Sequence, residues 1–333
     1  MNRIKGLDQI RFICALIVMV GHFGLPLPTP GAGNGGGMYK IIVTSVDLIF
    51  NGPAAVVIFF IISGFCINFP FQKSQRVDLA KYYTRRLIRI GIPAIIAVII
   101  YKLLHADLTP PAFGVLWSII CEVIYYLLYP ILFYLRKYIQ WAYLVFGAYL
   151  ISLILLLFNL AAVKEAQQSY TALGYLTWVV GLPCWLMGCW LSENFTKFKP
   201  LSPKNMWLIR VLMIAIMALL RVAKFHWHSL AASNCFTLNI FAFIAVIWLG
   251  FEIVYYQNRQ PSKILESCGK WSYSLYLMHP LSPELLLAIG LTGVYDKLLC
   301  LISLLLAYVF YLLIEKPSHN LSIFISSNIR KAP

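Results

Sequence analysis

The chain has 333 residues, is 61% hydrophobic and only 12% charged, and carries a formal net charge of +15. A soluble domain is about 45–50% apolar and about 25% charged. This composition, with a mean hydropathy of +0.78, therefore excludes an ordinary soluble domain and indicates a polytopic membrane protein. Apolar runs of the roughly 20 residues that cross a bilayer recur from end to end and leave no fused soluble domain, so residues 1–333 read as one membrane domain.

The runs predict an all-α protein of about ten transmembrane helices, near residues 7–26, 46–69, 87–104, 114–135, 141–160, 171–191, 206–223, 234–256, 271–289 and 294–314. With a cytoplasmic N-terminus, most of the 27 Lys and Arg residues fall on the inner side. The outer side keeps only Lys40, Lys102, Lys164, Arg221, Lys224 and Lys297. This positive-inside bias places both termini in the cytoplasm. It also explains the basicity as a topology signal, with no reason to invoke nucleic acid.

The first helix, from Gly6 to His22, carries Asp8, Arg11 and His22 within an apolar run. A charge at mid-membrane costs about 2.5–3.5 kcal/mol on insertion scales, so it is normally paired or functional. Arg11 and His22 are eleven positions apart. At about 100° per residue that separation brings both side chains to one face, roughly 16 Å apart along the axis. Asp8 and Arg11 interrupt the apolar core and no small-x-small site follows His22, so the segment reads as an uncleaved helix.

The Pro/Gly-rich stretch Pro26–Gly37 reads as an outer loop. It lacks the Lys-Ser/Thr of a phosphate-binding loop. Ser63 and Gly64 in Phe59–Phe65 read as close helix packing. Arg85 and Arg89 follow at i, i+4 with Arg86 beside them. Such a cluster serves as a positive-inside anchor or as a bidentate phosphate site.

The fourth run, after Thr109-Pro-Pro111, carries Trp117, Ser118, Glu122, Tyr126 and Pro130. A glutamate in so apolar a segment needs a partner, and His22, also in the outer half, is the expected one, with a structural arginine pair as the alternative. Arg210 and Glu252 lie near helix ends and are expected to snorkel. His226 and His228 fall in an outer loop at a spacing poor for metal. Pro280 is expected to kink or break the ninth run, leaving His279 either bonded to a backbone carbonyl or lining a pocket. The eight cysteines are scattered through apolar runs, without metal-ligand spacing, and read as buried filler. After Glu315-Lys-Pro317 a short polar tail is expected.

These residues together resemble the membrane-bound acyltransferase-3 family of bacterial inner-membrane O-acyltransferases over residues 6–317. The likeness is carried by Arg11-x10-His22, Phe59-Phe-x-x-Ser-Gly-Phe65, Arg85-Arg-x-x-Arg89 with Pro93, and Trp117-Ser-x-x-x-Glu122 with Tyr126 and Pro130. Ser272-Tyr-Ser-Leu-Tyr-Leu-x-His279 and Glu315-x-Pro317 complete it. Ala55-Val56-Val57 and Ile119 depart from the frequent pattern.

The resemblance implies acyl transfer from acyl-CoA, acetyl-CoA first, to a hydroxyl of a lipid-linked or surface carbohydrate. It implies no permanently bound cofactor, and membrane lipids as surroundings in the bacterial inner membrane. On this reading Arg85, Arg86, Arg89 and Arg11 hold the donor, and His22 is the general base or carries the acyl group. Glu122 then orients the imidazole, with Arg11 supporting the catalytic pair. Trp117, Ser118, Tyr126, Tyr276 and His279 are the acceptor-side residues. A carrier of lipid-linked saccharide uses intramembrane Arg, His and Glu equally well, but the motifs show no inverted repeat.

Overall fold

The computed structural model describes residues 4–24, 37–104, 113–166, 171–224, 234–290 and 296–329. Most of Pro26–Gly37, Thr109–Pro111, and His226 and His228 lie outside the described residues. The described chain is helical, with no strand. Its helices are α1 (Leu7–Phe23), α2 (Gly37–Asp47), α3 (Gly52–Asn68), α4 (Leu79–Leu103), α5 (Phe113–Leu135), α6 (Trp141–Phe158), α7 (Leu160–Glu165), α8 (Thr177–Asn194), α9 (Pro203–Val222), α10 (Asn234–Gln257), α11 (Lys263–Cys268), α12 (Ser272–Met278), α13 (Leu281–Ala288), α14 (Asp296–Phe310) and α15 (Lys316–Asn328).

Among the described residues, seven helical stretches are long and apolar enough to cross a bilayer: Ser45–Phe71, Val115–Leu135, Trp141–Phe158, Gly174–Lys197, Pro203–Val222, Cys235–Gln257 and Leu298–Asn328. Three of the ten expected runs do not meet that standard, and each has a physical reason. α1 is only 17 residues long and contains Asp8 and Arg11. α4 carries Lys81, Arg85, Arg86 and Arg89 in its first half. The ninth run is broken where α12 ends at Met278 and α13 begins at Leu281, because Pro280 cannot continue the backbone ladder.

The expected polar tail after Pro317 is also helix. α14 passes through a π-helical turn, Tyr311–Glu315, into α15. Pro317 follows directly on that turn, in the first turn of α15.

α3 is the central post, packed on α8, α1 and α10. Gly64 and Gly188 make that packing possible. A Cβ on Gly64 would stand 1.9 Å from the Trp185 carbonyl oxygen, and one on Gly188 2.0 Å from that of Ile61. α4 runs along α15 and α5, and α12 lies against α1 and α14. Asn51 caps α3 by accepting from Ala54 N at 3.2 Å, and it ties α3 to α9 by donating to the Met217 carbonyl at 3.0 Å.

Arg210 and Glu252 do not snorkel. They form a bidentate pair at 2.7 and 2.8 Å with Glu252 buried, and Tyr256 accepts from the same guanidinium. Pairing inside the bundle satisfies both charges without reaching for water. Six of the eight cysteines are buried.

Candidate active site

A cavity of about 570 Å³ opens among α1, α3, α4, α5, α12 and the π-helical turn. Its wall holds five basic residues, Arg11, Arg86, Arg89, Lys270 and Lys316, against three acidic ones, Asp8, Glu122 and Glu315. Ile4 and His319 line the same cavity, so the first and last parts of the described chain meet at one end of the bundle. The remaining wall is hydroxyl-bearing and aromatic, with Ser63, Ser118, Tyr126, Tyr273, Tyr276, Phe59 and Phe60. Apolar walls with a few convergent polar groups are the usual make-up of a small-molecule site, and the volume falls within the usual range of about 300–1,000 Å³.

The polar groups of this wall are held from behind. Arg11 pairs with Asp8 one turn earlier on α1, at 3.2 Å. Glu122 accepts from Ser63 at 2.5 Å and from the Tyr126 hydroxyl through the same oxygen, and Trp185 donates to Ser63 at 3.2 Å. Glu315 accepts both the backbone N–H and the hydroxyl of Ser274, at 3.1 and 2.5 Å. Among the described residues neither Arg86 nor Arg89 makes a salt bridge.

His22 lies beyond this cavity, at the other end of α1, and is exposed. Its Nδ1 is 2.8 Å from Nε2 of His279, and the two rings are nearly parallel. His279 is fully buried. Tyr276, one turn before it on the α12 face, spans the two regions. It lines the cavity, its hydroxyl is 2.7 Å from Ser118 Oγ, and its ring packs edge-on against both His279 and Phe59.

Measured against the expectations, the structure regroups the site. Glu122 is not the partner of His22. It accepts from Ser63 and Tyr126 and lines the same cavity as Arg11. Arg85 does not join Arg86 and Arg89: it is exposed, and its Nε donates to Ser326 of α15 at 2.9 Å. The 100° step between adjacent residues turns Arg86 toward the cavity and Arg85 away.

Trp117 is half-buried against Phe60 and does not line the cavity, whereas Ser118, Tyr126 and Tyr276 do. His279 lies off the cavity, with Nδ1 3.1 Å from the Leu275 carbonyl. Sequence reasoning missed Ser63 as a polar anchor, Lys270 and Lys316 as cavity cations, and Glu315 as a cavity carboxylate. Glu315, an acid at the edge of an apolar run, gave a signal that could have exposed it.

Comparison with curated proteins and with solved structures returns no match. The family model of the acyltransferase-3 group, described as an acyltransferase domain, matches residues 4–314. That span contains α1 with Arg11 and His22, the cavity helices, His279 and nearly all of the π-helical turn. The chain belongs to the acyltransferase-3 family of membrane acyltransferases.

Proposed function

We propose that the protein is an integral membrane O-acyltransferase of the bacterial inner membrane. It moves an acyl group, acetyl first, from cytoplasmic acyl-CoA to a hydroxyl of a lipid-linked or surface carbohydrate. The observation that carries this reading is the excess of basic over acidic side chains around a cavity of about 570 Å³. An anionic donor with several phosphates fits that imbalance. Arg86, Arg89, Lys270 and Lys316 receive the phosphates, with the arginines offering two parallel N–H donors each. The pantetheine arm then runs past Arg11 toward Ser118 and Tyr276.

His22 is the general base. An imidazole is suited to this work near neutral pH, and its exposure leaves it open to the acceptor. It takes the proton of the acceptor hydroxyl as that oxygen attacks the thioester carbonyl. The C–S bond breaks, the ester forms, and coenzyme A leaves as a thiolate that the His22 proton neutralises. An acyl-imidazole formed on His22 first is the variant route.

We also propose that α1, α4 and the broken α12–α13 segment cross the membrane with the seven longer stretches. Both termini are then cytoplasmic, on the strength of the Lys and Arg distribution.

The test is His22→Ala in membrane vesicles supplied with labelled acetyl-CoA. Label recovered in carbohydrate should fall at least about 100-fold, with the amount of protein in the membrane unchanged. An alanine variant present at normal level and acylating normally would remove His22 from the mechanism.

A further inference from the structure

We propose that His279 is a positioning residue for His22. It fixes the tautomer in which Nε2 of His22 carries the lone pair, and it accepts the hydrogen bond of the imidazolium formed when His22 takes a proton. This deepens the reading of His22 as the base and rests on it.

The argument starts from an atom whose role is not free. The Leu275 carbonyl oxygen, 3.1 Å from Nδ1 of His279, can only accept, so Nδ1 of His279 carries a proton. His279 is fully buried. Among the described residues no Asp, Glu, Lys or Arg bonds to its ring, and an unpaired charge there would be costly. The neutral ring therefore has a lone pair on Nε2. That atom lies 2.8 Å from Nδ1 of His22, so His22 donates from Nδ1 and its own Nε2 is left bare. One backbone carbonyl thus sets the protonation pattern of two rings in series, and the second ring is the exposed one. This is the orienting task that sequence reasoning gave to Glu122.

The other polar neighbours of His279 do not disturb the pattern. Tyr276, on the same helix, directs its hydroxyl to Ser118. Ser303 of α14 reaches only the His279 backbone carbonyl, at 3.5 Å. Phe23 of α1 packs edge-on against the ring. His22 is the one titratable side chain hydrogen-bonded to it among the described residues. The break at Pro280 serves this arrangement too, because it ends α12 where the ring must turn toward α1.

The experiment compares His279→Gln, whose side-chain carbonyl is able to accept from Nδ1 of His22, with His279→Leu, which fills a similar space without an acceptor. Acylation of carbohydrate from labelled acetyl-CoA is followed in vesicles across pH. The leucine variant should lose at least tenfold in kcat with little change in KM for acetyl-CoA. The acidic limb of its pH profile should move to lower pH, because the imidazolium of His22 has lost its acceptor. The glutamine variant should keep most of kcat and the parental limb.

Equal impairment of both variants with an unmoved limb would mean a packing role only, and parental behaviour of both would mean no role. Either outcome overturns the proposal. Should the leucine variant fail to accumulate, nitrogen NMR of the ¹⁵N-histidine-labelled parent decides: His22 should be protonated at Nδ1 and bare at Nε2, and the reverse tautomer overturns the proposal. Because NMR reads the tautomer without any reaction, a fixed tautomer beside an active His22→Ala variant would sink the base reading and leave the positioning intact.

Discussion

Replacing Gly64 by alanine separates the contact that organises the bundle from ordinary helix propensity. The new Cβ would stand 1.9 Å from the Trp185 carbonyl oxygen and 3.3 Å from Cys189 N. The oxygen is backbone and cannot rotate away, so α3 and α8 must part by roughly 1.5 Å to restore van der Waals contact. Overpacking of this kind costs about 1–3 kcal/mol, while alanine returns about 0.5–1 kcal/mol of helix propensity over glycine. The net loss should be about 1–2 kcal/mol. Gly147 in α6 is the internal control, since a Cβ there meets nothing within 4 Å, and Gly147→Ala should be neutral or mildly stabilising. Reversible unfolding of the purified protein in detergent reads both. Activity should fall with Gly64→Ala as well, because the adjacent Ser63 bridges Trp185 and Glu122. Equal stability of the two variants would refute the close-packing argument.

Other expectations follow from the same geometry. Arg86→Lys with Arg89→Lys should weaken acetyl-CoA binding by about 1–3 kcal/mol for each charged hydrogen bond lost, while Arg85→Lys, on the Ser326 side, should not; calorimetric titration distinguishes them. Glu252→Ala should destabilise the fold by about 3–5 kcal/mol by stranding Arg210, whereas removing both partners with Arg210→Met and Glu252→Leu should recover most of that loss in the same unfolding assay. In sealed vesicles oriented as in the cell, labelled acetyl-CoA on the cytoplasmic side should acylate acceptor held outside. A carrier would instead move intact glycolipid without acyl-CoA, and transfer confined to donor and acceptor on the same cytoplasmic side would refute the through-membrane route.

The sequence by itself determined the class of this protein. Long apolar runs admit only helices in a bilayer, since each helix satisfies its own backbone groups. The order of Arg11, His22, Ser63, Arg89, Glu122 and His279 along those runs was enough to place the family. Proline's missing N–H also predicted correctly that Pro280 would interrupt the ninth run.

What the sequence does not contain is which helix each face meets. The pairing of His22 with His279, 257 residues away, and of Arg210 with Glu252 depends on helix neighbours in the bundle. Periodicity assigns a side chain to a face but leaves the opposite wall blank. His22 and Glu122 were joined by depth alone, and depth does not distinguish two walls of one bundle. Arg85 and Arg86 differ by a single 100° step, and only the docking of α15 along α4 decided which of them faces the cavity.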